Sequence, residues 1–186
     1  MHDGYKIGKY WRKIPGYEDR GICQFCNTEE SMEHILTQCL VLGQEHIWGL
    51  AGSLWQYKAL PWSKPVFGEI LGCGIVNLQN EEGKYLKGES RFRRILVSES
   101  AYLIWKLRND QIINGRYLSL SEIQNKWRNT INARLEIDRL SSNPEFKSKS
   151  NSVQLIKQTW KKVIDCEENL PKEWTRETGV LSAGIG

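Results

Sequence analysis

The stretch Cys23 to Cys39, CQFCNTEESMEHILTQC, has the spacing C-x2-C-x7-H-x4-C and offers Cys23, Cys26, His34 and Cys39 as ligands. Three thiolates and one imidazole form the donor set of a closed, tetrahedral, structural zinc site. Two residues between Cys23 and Cys26 suit a tight knuckle that aims both sulfurs at one point. The run SMEHILTQ that follows is helix-prone, with Ser31 placed as its N-cap. His34 then falls on the first helical turn and Cys39 at the helix end, within reach of the same ion.

Other uses of these residues are open. A Cys-x-x-Cys can be a redox pair, and lone cysteines are often small buried hydrophobes. A redox pair usually opens a helix after a strand. Here Cys23 follows the polar turn Tyr17-Glu-Asp-Arg-Gly21, and a histidine and a third cysteine arrive at metal-like distances. His46 and Cys73 are further donors, but both lie in segments that read as packed helix or buried turn. The expected centre is therefore Cys23, Cys26, His34 and Cys39 with zinc as a structural cofactor.

Outward from the knuckle, the hydrophobic pattern is helical throughout. Ile47, Trp48, Leu50, Ala51, Leu54 and Trp55 recur at three- and four-residue spacing after an interruption at Gly43. Phe67 to Leu71 reads as a short helical turn. Asn77 to Ser90 is polar and glycine-containing, and is expected to be a mobile surface loop. A long helix is expected from Arg91 to Asn114, closed by Gly115 as the left-handed cap. Its basic start, Arg91-Phe-Arg-Arg94, opposes the sign that a helix N-terminus prefers. Ser119-x-x-Glu122 is a capping box, followed by a stripe of Ile123, Trp127, Ile131, Leu135 and Leu140. SSNPEFKSKSN (141–151) reads as a linker and Val153 to Ile164 as a fourth helix. The tail is expected to be extended, with Leu170, Trp174 and Val180 docked and its last residues loose.

The expected fold is all-α: a small CCHC zinc knuckle packed on a bundle of four to five helices. Three regions are expected within one compact unit. Residues 1–60 hold the knuckle, an N-terminal arm and the first helices. Residues 61–90 form a loop-rich connection, and 91–186 the helical bundle with its tail. In the arm, Tyr5, Ile7, Tyr10, Trp11 and Ile14 alternate with lysines and arginines, and are expected to pack on the zinc module.

A chain of 186 residues with 40% apolar content and eight Trp buries a real core and is not a disordered segment. The N-terminus MHDGYKIGKY has no apolar run, and nothing approaches the ~18 consecutive apolar residues of a membrane span. An intracellular location, nucleus or cytoplasm, is expected, with no membrane partner and with reduced thiols that favour metal over disulfides. Charge is uneven. Residues 21–90 carry four Lys/Arg against eight Asp/Glu, whereas residues 91–164 carry fifteen against six. A basic stretch of this size can follow a phosphate backbone, or can simply be a solvated helical surface. On the first reading Arg91, Arg93, Arg94, Lys126, Arg128, Lys157, Lys161 and Lys162 are the candidate contacts to RNA or DNA.

Catalytic constellations are missing. The sequence has no G-x-S-x-G, no P-loop and no H-E-x-x-H. Glu33 precedes His34, whereas zinc deaminases carry the acid two residues after the histidine. Four protein ligands also leave no open position for a water. Glu29, Glu30 and Glu33 read as a solvated face that can also supply acceptors to the His34 ring. No enzyme activity is expected of this chain.

C-x2-C, an acidic spacer and then E-H-I-L-x-x-C resembles the zinc-binding module at the C-terminal end of reverse transcriptases from non-LTR (LINE-type) retrotransposons. KIGKYWRKIPGYEDRGICQFC, ESAYLIWKLRND and LPKEWTRETGVL are similar to segments that follow the ribonuclease H domain in fungal members of that class. Only Cys23, Cys26, His34 and Cys39 form a motif specific enough to carry over. The paired aspartates of a polymerase palm and the carboxylate cluster of ribonuclease H are not identifiable, so neither activity is implied. The resemblance implies a noncatalytic accessory module for template RNA or target DNA, with the reverse transcriptase and ribonuclease H domains of the same element as partners. The competing expectation is a protein-interaction module that docks on such a domain, with zinc purely structural. A relic of an element without present activity is a third.

Overall fold

The computed structural model describes residues 6–41, 43–142, 153–176 and 181–184. Among the described residues five α-helices carry the fold: α1 (Gln44–Trp55), α2 (Phe67–Leu71), α3 (Lys87–Asn114), α4 (Leu120–Ser141) and α5 (Val153–Trp160). Among the described residues β-pairing is confined to three isolated antiparallel bridges. The helical class read from the sequence holds.

Helix α1 begins after Gly43, whose φ of 115° only glycine adopts without strain. Its apolar positions Ile47, Trp48, Ala51, Leu54 and Trp55 are all buried. Helix α3 starts at Lys87, four residues earlier than the sequence suggested. Ser90 explains the difference, since its hydroxyl accepts from Leu78 N at 2.8 Å and donates to Leu86 O at 2.6 Å. Leu86 N also donates to Leu78 O at 2.9 Å, and Gln79 pairs with Tyr85. The segment expected to be a mobile loop is therefore a hairpin turn tied to the start of α3. Glu89 occupies the first turn of α3, so the helix dipole meets an acid there. Arg91 to Arg94 lie further along, and the unfavourable sign expected at the N-terminus does not arise.

Gly115 closes α3 in the left-handed conformation, with its N–H donating to Gln111 O at 3.0 Å. Ser119 and Glu122 form the reciprocal capping box at the start of α4. Ile123, Trp127, Ile131 and Leu135 are buried at every step of the stripe, whereas Leu140 is half exposed and does not continue it. Helix α5 is shorter than expected, stopping at Trp160. Turns follow, with Lys162 at a φ of 65°, yet Val163 and Ile164 remain buried.

Rings at the centre lock three helices together. Trp55 of α1 stacks on Phe92 of α3 at 6.1 Å, and Phe92 meets Trp160 of α5 edge-on at 5.5 Å. At Gly88 a Cβ would sit 2.6 Å from the Gln158 backbone, so α3 and α5 approach more closely than any larger residue permits. Asp138 of α4 is buried and accepts both Arg91 guanidinium nitrogens, at 2.6 and 2.7 Å, together with Trp160 Nε1 at 2.8 Å. One carboxylate thereby joins α3, α4 and α5. The buried cluster runs from Ile35, within the expected zinc module, to Ala183 in the tail.

In the tail, Trp174 is buried and Leu170 packs on the core. Residues 181–184, expected to be loose, are docked. Asp165 N donates to Ser182 O at 2.9 Å and Gly184 N to Val163 O at 2.7 Å, with Ala183 buried. Tyr5, Val180 and the linker positions 143–151 lie outside the described residues. In the arm, the rings of Tyr10, Trp11 and Tyr17 pack on one another, and Arg20 lies over Trp11 and Tyr17. The arm meets the module through backbone at Gly8, where a Cβ would fall 2.2 Å from Glu30 O. No helix of the described residues is long and apolar enough to cross a membrane.

Candidate metal centre

The knuckle is built by backbone bonds that fold Cys23–Thr28 back on itself. Cys23 N donates to Thr28 O and Asn27 N to Cys23 O, both at 2.8 Å. Asn27 takes the left-handed turn with a φ of 52°, a conformation asparagine tolerates better than most residues. Ile22 pairs with Glu29 and Glu30 N donates to Gly21 O at 2.9 Å, which closes the base of the loop.

The second half differs from the α-helix read from the sequence. His34–Gln38 is a π-turn, in which Cys39 N donates to His34 O at 2.8 Å. Ser31 does act as the cap, accepting from His34 N at 3.0 Å. The wide turn has a geometric reason. Residues five apart on an α-helix point roughly 140° away from each other at about 100° per residue. A turn closed by an i to i+5 bond brings positions 34 and 39 to one side, and such turns recur at functional sites. The Leu36 carbonyl is held from outside, by Gln44 Nε2 at 2.9 Å and Trp48 Nε1 at 2.8 Å.

These two pieces bring all four expected ligands together. One donor atom from each of Cys23, Cys26, His34 and Cys39 lies within 4.8 Å of the others. Cys39 Sγ is 3.7 Å from Cys23 Sγ and 3.9 Å from Cys26 Sγ. A disulfide needs about 2.05 Å, and all three cysteines are free. Metal–sulfur distances near 2.3 Å in a tetrahedron put neighbouring sulfurs about 3.8 Å apart. The residues fit a tetrahedral ion. Burial, reinforced by the Cys23 and Cys26 thiols, pushes the Cys39 thiol up to about 12. A cation that binds here must therefore displace its proton, so metal affinity falls in acid. Leu40 N donates to Cys26 Sγ at 3.3 Å, a bond that favours the thiolate.

Glu30 was read with Glu29 and Glu33 as part of a solvated face able to supply acceptors to the His34 ring; the structure takes it off the solvated face and sets it beside that ring. It is 6% exposed, and its Oε1 lies 3.7 Å from His34 Nε2. Its Oε2 accepts from Arg108 Nε at 3.0 Å, with Arg108 Nη2 at 2.8 Å. The gap to His34 is longer than a hydrogen bond, so the carboxylate faces the imidazole without bonding it. The four-residue step from Glu30 to His34 is visible in the sequence, but Arg108 lies 78 positions away from Glu30 and no local signal marks it. Neither Cys73 nor His46 belongs to the cluster.

The basic residues read as phosphate contacts differ in their surroundings. Arg91 is committed to Asp138. Arg93 lies over Trp62 at 4.4 Å and donates to Ser63 O. Arg94 donates to Val76 O and Asn77 Oδ1. Lys157 bonds the Lys172 carbonyl and Glu173. The Lys161 carbonyl accepts from buried Lys58, while the side chains of Lys126, Lys161 and Lys162 are exposed. Arg128 is half buried on α4. No protein family, curated protein or solved structure matches this chain.

Proposed function

We propose that the chain is a noncatalytic, zinc-binding accessory module that binds nucleic acid, of the kind that accompanies a retrotransposon reverse transcriptase. The observation that carries the metal half is the sulfur–sulfur spacing of 3.7 and 3.9 Å around a buried histidine. Zinc is the ion that best suits three thiolates and an imidazole in a closed site. With four protein donors the ion serves structure. The nucleic-acid half rests on the basic composition of residues 91–164 and on the resemblance of the C-x2-C…H-x4-C segment.

The deciding experiment combines metal analysis of the purified protein with titrations of labelled RNA and DNA oligonucleotides at two salt concentrations. One zinc per chain is expected, with affinity that falls steeply with salt by about one counterion per phosphate contact. Absence of bound metal, or a flat salt response, refutes the corresponding half.

The protein-interaction reading draws support from a different observation. Leu40, next to Cys39, is 84% exposed, and exposed Phe25, next to Cys26, meets exposed Tyr117 of the α3–α4 connection edge-on. Exposed apolar side chains next to two of the four donors suit docking on a neighbouring domain. Retained zinc with no oligonucleotide binding at either salt selects this reading.

A further inference from the structure

Several α3 side chains, among them Lys87, Arg91 and Arg94, recur at three- and four-residue steps and so share one face. With Arg134 of α4 and Leu155 of α5 they line an open cleft of about 450 Å³. That volume is in the range of small-ligand sites. Its charge is not balanced from within. Asp138 neutralises Arg91 through two hydrogen bonds. Among the described residues Arg94 bonds neutral partners, the Val76 carbonyl and the Asn77 amide oxygen. Among the described residues no ion pair joins Lys87 or Arg134 to an acid, and Glu99, the acid on the wall, pairs with none of these cations.

Arg134 supplies the sharpest observation. Its Nε is shut off from solvent and has no hydrogen-bond partner among the described residues. A buried donor left unmade is costly, more so on a charged group, and in native structures it calls for an explanation, a bound ion or water among them. Guanidinium forks match tetrahedral oxyanions, and a lysine adds a mobile point charge.

We infer that this cleft binds a phosphate group, held by Arg134 and Lys87 with Arg94 contributing charge at its rim. The phosphate chemistry stands on the cleft alone. Only the assignment of that phosphate to a nucleic-acid backbone, rather than to a free mononucleotide, rests on the function proposed above.

The test measures binding of inorganic phosphate and of adenosine monophosphate to metal-loaded protein by calorimetry, at constant ionic strength. Wild type is compared with Arg134→Gln, with Lys87→Gln at an exposed position, and with Lys84→Gln as a control outside the cleft. Saturable binding that weakens about tenfold in each of the first two variants and not in the control supports the site. No binding, or equal binding by all four proteins, overturns it. Oligonucleotide affinity in the same variants identifies the source. A parallel loss assigns the cleft to backbone phosphate. Unchanged or absent oligonucleotide binding beside a lost phosphate response assigns it to a small phosphate ester, and the absence of any oligonucleotide binding refutes the nucleic-acid reading while the cleft stands.

Discussion

Glu30 of the metal module and Arg108 of α3 form an ion pair at 2.8 Å with both side chains almost wholly buried. The same carboxylate reaches toward His34 with its other oxygen, at 3.7 Å. The pair fastens a short, loop-built module to the longest helix of the chain. Breaking a buried pair by removing one partner typically costs about 3–5 kcal/mol, because the other charge is left uncompensated. Arg108→Met is expected to lose stability on that scale in denaturant unfolding. The double variant with Glu30→Gln should recover much of the loss, and additive effects would show that the two charges do not depend on each other.

Removal of the metal should loosen the module first. Metal binding by comparable ligand sets is worth roughly 10–16 kcal/mol in model peptides and acts as folding energy. The module holds Trp48 through the Leu36 carbonyl, so near-ultraviolet dichroism should change on chelation and hydrogen exchange should rise across the first fifty residues. Cys39→Ser should reproduce both changes without chelator. Unaltered spectra with no zinc released would falsify the structural role.

Asp138 is the junction of α3, α4 and α5. Asp138→Asn leaves the Arg91 guanidinium, 11% exposed, facing a neutral group. A loss of about 3–5 kcal/mol is expected, a large part of the stability of a domain this size. Lys126→Gln, at an exposed position, should shift the unfolding midpoint by no more than about 0.5 kcal/mol. If the two variants unfold alike, Arg91 is not the structural tie described above.

Lys58 gives a pH signature. Burial, partly offset by Glu89 and Glu167, lowers its amine from 10.5 to about 8 in the folded chain. Between those values the unfolded chain binds more protons, so this group makes stability rise with pH from about 8 to 10.5. Below 8 the full penalty of the buried ammonium is present. The neutral amine still has two N–H bonds for its two acceptors, Gln158 O at 3.2 Å and Lys161 O at 2.8 Å. Denaturant midpoints of wild type and Lys58→Met should differ in slope over this window, and parallel curves would show that the amine is not desolvated.

The sequence by itself determined which three cysteines and one histidine cluster, the helical class, the capping box at Ser119 and Glu122, the stop at Gly115 and the buried stripe of α4 to Leu135. Each depends on residues within one or two turns of one another, where spacing alone sets the geometry. Tertiary structure decided the rest. It recast the helix before Cys39 as a π-turn, because two ligands five apart must face one point. It drew the expected loop at 77–90 into the start of α3 through the Ser90 hydroxyl, and it docked the tail at Ala183. It also turned several basic residues inward. The charge of Arg91 or Arg108 is legible in the chain, but the carboxylate that meets it arrives from another helix or loop, tens of residues away, and only packing brings them into contact.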